Sequence, residues 1–383
     1  MSRFDIISGQ NKAWSILSRS FQAGKVASTY LFHGPEGVGA WSLAIEFTAL
    51  LNCESVLTDP DRPDVLRPCS SCRNCRAILG LNFEGLHAVV PIGKHKNASE
   101  AIDLANAYLE HKREEPFALP DRSSPVTIPI DLARDTKRRL SVQAGEGIHR
   151  VALFYQMDRM RLSSADALLK LIEEPPDDTT IILTAHHPEA LSDTIQSRSQ
   201  KIRLVRLPEA MVVGYLREHY QVSETSAQLA ARIAEGSLGR ALTSVEGEGE
   251  EVDSRSVGLM LFKTLMTQSA PDLIARMNDL VNYRDRGGAE ELIRLWQSLI
   301  RDGAYYANTA DETGLKNVDF LAETKQHANR LGDSRAVERM VAVTKNTLAD
   351  LSLNVHIQAA LVAMALELKE CIGGAGRATA HGS

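Results

Sequence analysis

Residues 30–39 read Tyr30-Leu31-Phe32-His33-Gly34-Pro35-Glu36-Gly37-Val38-Gly39. The mostly apolar start of this segment predicts a β-strand, and apolar residues at helical spacing in 42–51 predict a helix after the glycines. A strand, a glycine-rich turn and a helix in this order are typical of a P-loop, whose backbone amides cradle nucleotide phosphates. Gly34, Gly37 and Gly39 are therefore the candidates for phosphate contact.

The two positions after this turn lack the side chains of a working P-loop. A P-loop lysine contacts the β- and γ-phosphates and the next serine or threonine binds Mg²⁺, whereas this chain has Ala40 and Trp41. Ser42 comes one position late and on a helix would point about 100° away. We expect no productive binding or hydrolysis of ATP here. The glycines alone are equally compatible with a plain turn between a strand and a helix.

Further apolar segments at 151–155, 180–184 and 202–207 predict strands, and 164–174 predicts a helix between the first two of them. Strands that alternate with helices imply a parallel sheet covered on both faces. A second magnesium-binding position is expected at the end of the strand at 151–155, but Tyr155 and Gln156 stand there. Neither side chain can bind Mg²⁺ as a carboxylate does or polarise a water, so two catalytic positions are empty.

Four of the five cysteines are grouped, as Cys53, Cys69, Cys72 and Cys75. Two residues between successive cysteines is a spacing that lets a tight turn present both sulfurs to one tetrahedral ion. In a reducing compartment such a group favours metal over disulfides. We predict a structural zinc in a module at about 53–75, with buried free thiols and redox or iron–sulfur roles as the alternatives.

A cluster of basic residues is a candidate DNA contact. Arg134, Lys137 and Arg138 would share one face of a helix, and such a stripe can meet phosphates; a solvated helix face is the alternative. The whole chain has 43 basic and 49 acidic residues, a net charge of −6, which does not indicate a general nucleic-acid-binding surface. Any DNA contact is expected to be local or shared with partners.

The rest of the chain is predicted to be helical. The polar segment 94–125 is expected to hold a helix from Ala98 to Glu114 and then a proline-containing loop, and its sequence does not indicate a role. After residue 207 the strand pattern ends, and an acidic, glycine-bearing linker lies at 246–251. Leu292, Leu295, Trp296 and Leu299 have the spacing of one helix face.

The two ends of the chain carry no pattern of a secreted or membrane protein. The first residues lack a secretory signal and the longest apolar run is too short to span a bilayer. We therefore expect a cytoplasmic protein without a membrane partner. The small, polar residues 372–383 are predicted to be disordered.

Taken together, four segments resemble the bacterial clamp-loader branch of the AAA+ family. They are the glycine turn, the four cysteines, the string Ala167-Leu168-Leu169-Lys170-Leu171-Ile172-Glu173-Glu174-Pro175-Pro176 and the triplet Ser197-Arg198-Ser199. The similarity covers about 1–245, and the string is its most specific part. An inactive P-loop with a retained arginine motif resembles the delta-prime type of subunit. The family's motif has cysteine where this chain has Ser199, a change that does not touch the guanidinium.

The resemblance implies an α/β fold with three parts. These are a RecA-like AAA+ domain at 1–206 with the zinc insert, a small helical lid at 207–250 and an all-α collar at 251–371 that oligomerises. It also implies roles for single residues: Arg198 as an arginine finger in the ATP site of a neighbouring subunit, Thr184 at the sensor-1 position and Arg240 in the region of sensor 2.

The partners implied by the resemblance are gamma or tau ATPase subunits and a delta subunit. Through that complex the chain would act on the sliding clamp and primed DNA as part of the DNA polymerase III holoenzyme, without intrinsic ATPase activity. Two alternatives stay open at the level of sequence. One is an AAA+ ATPase of the gamma or tau type that finds its phosphate lysine elsewhere, and the other is a zinc-containing nucleic-acid-binding module.

Overall fold

The computed structural model describes residues 8–60, 62–120, 126–142, 145, 147–160, 162–165, 168–246, 251–281, 286–352 and 355–378. The chain divides into two compact units near residue 245. The first unit combines a sheet with helices, and the regular elements described in the second are all helices.

The helices and strands of the first unit alternate along the chain. In order they are α1 (Asn11–Gln22), β1 (Thr29–His33), α2 (Ala40–Leu51), β2 (Leu57–Thr58), β3 (Leu66–Arg67), α3 (Arg73–Leu79), β4 (Leu86–Val89), α4 (Ala98–Glu114), α5 (Ile130–Leu140), β5 (Arg150–Phe154), α6 (Leu162–Ala165), α7 (Leu169–Glu173), β6 (Thr179–Ala185), α8 (Asp193–Arg198), β7 (Gln200–Arg203), α9 (Glu209–Tyr220), α10 (Glu224–Ala234) and α11 (Leu238–Glu246).

Five strands form a parallel sheet in the order β4-β5-β6-β1-β7. Successive residues of β1 point to opposite faces, so Tyr30 and Phe32 join one hydrophobic core and Leu31 joins the other. Each fully buried aromatic or leucine side chain of this kind stabilises the fold by about 1.5–3 kcal/mol. The predicted fold class, a parallel α/β sheet covered on both faces, is confirmed.

Several boundaries differ from those predicted. The helix expected at 164–174 is two short helices, α6 and α7, and Ala167 of the family-like string lies outside the described residues. The strand expected at 202–207 is β7, which ends at Arg203, and β4 was not predicted because it is a run of only four residues. The insertion helix α4 has the predicted bounds, Ala98–Glu114.

Helices α9, α10 and α11 follow the sheet and have a hydrophobic core of their own. Val212, Leu216, Ala231 and Leu242 are buried in it, together with Phe117 from the loop after α4. These helices correspond to the predicted lid and belong to the same compact unit as the sheet. Residues 247–250 of the predicted linker lie outside the described residues.

The second unit contains α12 (Glu251–Thr267), α13 (Ala270–Leu280), α14 (Arg286–Thr309), α15 (Leu321–His327), α16 (Ser334–Ser352) and α17 (Ile357–Ala378). Its core is centred on α14, where Trp296 and Leu299 are buried and the indole N–H of Trp296 donates to the Gly258 carbonyl at 3.1 Å. Helix α17 runs to Ala378, into the segment from 372 for which disorder is predicted, and 379–383 lie outside the described residues. Within the described ranges, no helix is both long and apolar enough to cross a bilayer.

Candidate functional site

The glycine turn connects the end of β1 to the start of α2. Gly37 has φ 75° and Gly39 has φ 102°, in the left-handed region where a residue without Cβ is strongly favoured. At Gly34, a Cβ would lie 2.6 Å from the Leu204 carbonyl oxygen. The backbone therefore requires glycine at all three positions, whether or not a phosphate binds.

The start of α11 packs directly on this turn. The Ser237 hydroxyl donates to the Glu36 carbonyl at 2.7 Å, and the Gly239 N–H donates to the Gly37 carbonyl at 3.0 Å. A side chain at Gly37 would collide with the Ser237 hydroxyl. These two hydrogen bonds hold the glycine turn against the start of α11.

The two positions that bind magnesium in a working site hold aromatic rings. Trp41, in the first turn of α2, is 2% exposed, and Tyr155, directly after β5, is 3% exposed. Their rings meet edge to face, with centroids 5.3 Å apart and planes at 81°. Neither ring supplies the anionic oxygen of a carboxylate: the indole of Trp41 has no oxygen, and burial raises the pKa of Tyr155 far above its ordinary value, which keeps the phenol neutral.

A lysine that sequence reasoning missed lies against these rings. Lys112, near the end of α4, is 1% exposed. Its Nζ is 4.8 Å from the Tyr155 ring centroid, 5.6 Å from the Trp41 centroid and 5.9 Å from the Tyr108 centroid. The same ammonium donates to the carbonyls of Pro116 at 3.1 Å and Ala118 at 2.5 Å. No local sequence pattern marks this lysine, because its partners come from three separate elements.

Two further polar residues, Gln156 and Asp158, lie directly after β5 and Tyr155. Gln156 has φ 57°, and its N–H donates to the Thr184 hydroxyl at 2.8 Å. The Asp158 Oδ2 accepts the N–H groups of His186 at 3.1 Å and His187 at 3.0 Å. Thr184, the predicted sensor-1 residue, is buried and accepts the hydrogen bond from Gln156. The Asp158 carboxylate binds the backbone of the segment after β6.

Arg198 is the last residue of α8 and lies at the surface, 46% exposed. Its Nε is 2.9 Å from Glu173 Oε1 at the end of α7. The neighbouring Ser199 hydroxyl donates to the Ile195 carbonyl at 2.7 Å. The structure thus joins the arginine motif to the Glu-Glu-Pro-Pro string, a pairing that the sequence did not indicate.

The four grouped cysteines come together between α2 and α3. Their sulfur atoms all lie within 4.8 Å of one another, and those of Cys69 and Cys75 are 4.0 Å apart. A tetrahedral zinc with bonds of about 2.3 Å sets sulfur–sulfur distances of about 3.8 Å. The arrangement therefore fits one metal ion.

Backbone amides support this cluster. The N–H groups of Cys69, Cys72 and Cys75 point to the sulfurs of Cys53, Cys69 and Cys72 at 3.3, 3.2 and 3.4 Å. Burial raises the pKa of Cys53 and of Cys75. Burial alone would also raise the pKa of Cys69, but hydrogen bonds from Ser71 and Cys72 outweigh it and lower that pKa to about 6. Donors of this kind stabilise the thiolate that metal binding requires.

The basic face on α5 is largely paired with acidic residues of the same helix. Arg134 lies 3.8 Å from Asp131, Arg139 lies 2.7 Å from Asp135, and Arg138 also contacts Asp135. Lys137 is exposed. The structure thus places the three DNA candidates on one helix and reduces the net positive charge of that face.

The amino-acid sequence is similar to those of known DNA polymerase III subunits. The family model described as DNA polymerase III, delta subunit, matches residues 9–208. The DNA polymerase III subunit delta-prime of Bacillus subtilis (strain 168) is 23% identical over 361 residues, which cover 94% of this chain and 96% of that protein.

Two tau subunits are also similar. DNA polymerase III subunit tau of the same organism is 24% identical over 249 residues, covering 64% of this chain and 37% of that protein. The tau subunit of Escherichia coli (strain K12) is 27% identical over 284 residues, covering 72% and 38%. The chain thus spans less than two fifths of the tau subunits that it matches.

Proposed function

Because the chain belongs to the DNA polymerase III delta-subunit family, we propose that it is a clamp-loader subunit of the delta-prime type, which assists its neighbours' ATP hydrolysis and performs none itself. In this role it joins gamma or tau ATPase subunits and a delta subunit in a cytoplasmic complex. That complex places the sliding clamp on primed DNA. The observation that carries the proposal is the contact between Trp41 and Tyr155 where two magnesium ligands belong.

The chemistry of these two positions supports a non-hydrolysing role. Phosphoryl transfer depends on a metal ion that bridges the β- and γ-phosphates and on a lysine that neutralises them. With Ala40, Trp41 and Tyr155 in these places, the lysine, the hydroxyl and the carboxylate are all absent. Each lost charged hydrogen bond removes about 1.5–3 kcal/mol of binding, so nucleotide binding and turnover both fail.

Arg198 supports the second half of the proposal, an arginine finger supplied in trans. Its guanidinium stays charged at every physiological pH and suits phosphate oxygens with two parallel donors. Contact with Glu173 through Nε uses one edge of the planar group and leaves the edge with both terminal nitrogens for a second anion. An arginine that reaches a neighbour's γ-phosphate accelerates its hydrolysis by about 10³–10⁵.

The non-hydrolysing half is tested on the purified chain alone. With Mg²⁺ and ATP we expect no turnover above a protein-free blank, in an assay where a gamma or tau subunit from the same organism is active. Magnesium-dependent turnover that follows this chain through purification would contradict the proposal and favour the alternative of a gamma- or tau-type ATPase.

We also propose that the four cysteines hold a structural zinc. Four thiolates close a tetrahedral site, and the spacing of their sulfurs, all within 4.8 Å, supports this. The ion would tie α3 and the β2–β3 hairpin to the end of α2. Elemental analysis should find about one zinc per chain; the same fold purified without metal would refute the proposal.

DNA contact is proposed to occur through the assembled complex. Asp131 and Asp135 offset part of the positive charge on the face with Arg134, Lys137 and Arg138, which disfavours an independent nucleic-acid-binding module. We also propose Thr184 for the sensor-1 position, where its hydroxyl accepts the Gln156 N–H, and Arg240 for the region of sensor 2, where its backbone N–H donates to the Ser237 hydroxyl.

A further inference from the structure

The end of α4 and the loop after it pack against Trp41, Tyr155 and Gly39. Asn97 caps the helix by accepting the Glu100 N–H at 3.0 Å. Near the other end Lys112 is buried, although His111 and Arg113 on either side of it are exposed. A lysine in a 17-residue polar helix is ordinarily exposed. A buried lysine needs a specific environment, because an uncompensated ammonium is strongly disfavoured inside a protein.

That environment is built from the two empty catalytic positions. Trp41 replaces the hydroxyl that binds Mg²⁺ and Tyr155 replaces the acidic residue, and the Lys112 ammonium lies 5.6 and 4.8 Å from their ring centroids. In a working P-loop site both side chains point at the same magnesium ion. The lysine therefore brings its positive charge to the region where the metal ion would be.

The surroundings are suited to a cation. Tyr108, one helical turn before Lys112, adds a third ring at 5.9 Å, and aromatic faces attract an ammonium most strongly when water is excluded. The carbonyls of Pro116 and Ala118 accept its hydrogen bonds at 3.1 and 2.5 Å. Ring faces and carbonyls together replace the oxygens that would surround a metal ion.

The loop after α4 also covers the glycine turn. The Phe117 ring lies 3.3 Å from where a Cβ on Gly39 would be, and the Phe117 carbonyl lies 2.7 Å from such a position on Gly239. Phe117 also contacts Tyr215 of α9 edge to face, with centroids 5.4 Å apart. The loop thus lies between the P-loop-like turn and the helices that follow the sheet.

We propose that the insertion is an internal occupant of the nucleotide site, with the Lys112 ammonium in place of Mg²⁺ and the Phe117 loop over the phosphate-binding turn. In this proposal the nucleotide site lacks its catalytic side chains and, in addition, is blocked to nucleotide by the chain's own residues. This inference deepens the proposed non-hydrolysing role, and it predicts that restoring the P-loop lysine alone does not restore nucleotide binding.

The first test measures amine labelling of the full, unmodified chain, with each lysine quantified by mass spectrometry. Lys94 and Lys96 are exposed lysines of the same insertion and serve as internal controls. We expect Lys112 to be labelled at least about ten-fold more slowly than either, because labelling needs local opening, and addition of magnesium and ATP should leave its rate unchanged. Labelling of Lys112 at the rate of Lys94, or a rate that changes with ATP, would overturn the proposal.

The second test is Ala40→Lys in the full chain, which restores the phosphate lysine and keeps Trp41 and the ring cluster. Titration with a fluorescent ATP analogue and Mg²⁺ should show no saturable binding. Micromolar, magnesium-dependent binding would show that only the lysine was missing and would sink the idea of an occupied site. Both tests use the isolated chain. The proposed role of Arg198 in a neighbour's ATP site is measured separately, as ATP turnover by the partner subunits, so either proposal can be refuted without the other.

Discussion

Arg198 and Glu173 come from different sequence motifs, and the structure brings them into contact at 2.9 Å. Both side chains are partly exposed, 46% and 36%, so their ion pair adds at most about 1 kcal/mol to stability. Its larger effect is on geometry. A carboxylate on Nε limits the rotation of the guanidinium and fixes the direction of its terminal nitrogens, which makes Glu173 a positioning residue for the proposed finger.

Glu173→Ala should therefore leave folding and assembly intact and lower the partner's ATP turnover by about ten-fold, the equivalent of one charged hydrogen bond. The fall should appear in kcat with KM for ATP unchanged, because the arginine acts in the transition state. Glu173→Gln keeps an acceptor for Nε and should lose less. Glu174→Ala, an exposed neighbour of the same charge, is the matched control.

A double variant separates positioning from a general structural effect. If Glu173 acts only through Arg198, then Glu173→Ala should cause no further loss in a chain that already carries Arg198→Ala. Additive losses would contradict the positioning role.

At the level of single residues, the sequence points to candidate groups that belong to contiguous motifs and gives no sign of those that only the fold brings together. Arg198 and the three glycines could be identified because their neighbours form patterns. Lys112 could not, since a lysine in a polar helix is ordinarily solvated and its ring partners Trp41 and Tyr155 lie far away in the sequence. Tertiary topology alone creates that cluster.

Among the structural elements, the cysteine module shows how a short insert can be made stable. It consists of the two-residue strands β2 and β3 and the seven-residue helix α3, which are too short to be stable alone. The Cys72 side chain caps α3 by accepting the Cys75 N–H, so the same residue is both a cap and a proposed ligand. These two roles can be separated experimentally.

Cys72→Ser makes this separation, because serine is a favourable N-cap and a poor zinc ligand. We expect zinc content to fall from about one per chain to near zero, with a lower melting temperature of the first unit. Cys371→Ser, which changes a cysteine of the second unit that is not part of the cluster, should leave the zinc content unchanged. Unchanged zinc content in Cys72→Ser would exclude a four-cysteine site.

Element prediction succeeded where a pattern was long and failed where it was short. Helix α4 was bounded correctly over 17 residues, because helical periodicity accumulates over several turns. Strand β4 has four residues and was missed, and β7 was placed too late, since Val205 and Leu207 continue an apolar run after pairing with β1 has ended at Arg203. Strand ends depend on the neighbouring strand, which the local sequence does not specify.

For the whole molecule, we propose a subunit whose own nucleotide site is filled by its own chain and whose surface arginine acts in the ATP site of a neighbouring subunit. Helix α8 carries that arginine at the edge of the sheet unit, and the helical second unit provides the proposed collar. The proposal therefore requires that, in the assembled complex, this chain contacts an ATPase subunit on the side where Arg198 is exposed. The effect of losing Arg198 is thus visible only in the complex.

The most direct measurement is single-turnover ATP hydrolysis by a clamp loader reconstituted with gamma or tau and delta subunits, in the presence of clamp and primed DNA. Arg206→Ala is the matched control, because Arg206 is 49% exposed and forms one surface ion pair, with Glu235 at 2.8 Å. With Arg198→Ala, assembly should be unchanged and the rate at one interface should fall by about 10³–10⁵, so that the burst loses about one ATP per complex. An unchanged burst in an intact Arg198→Ala complex would show that Arg198 is not an arginine finger.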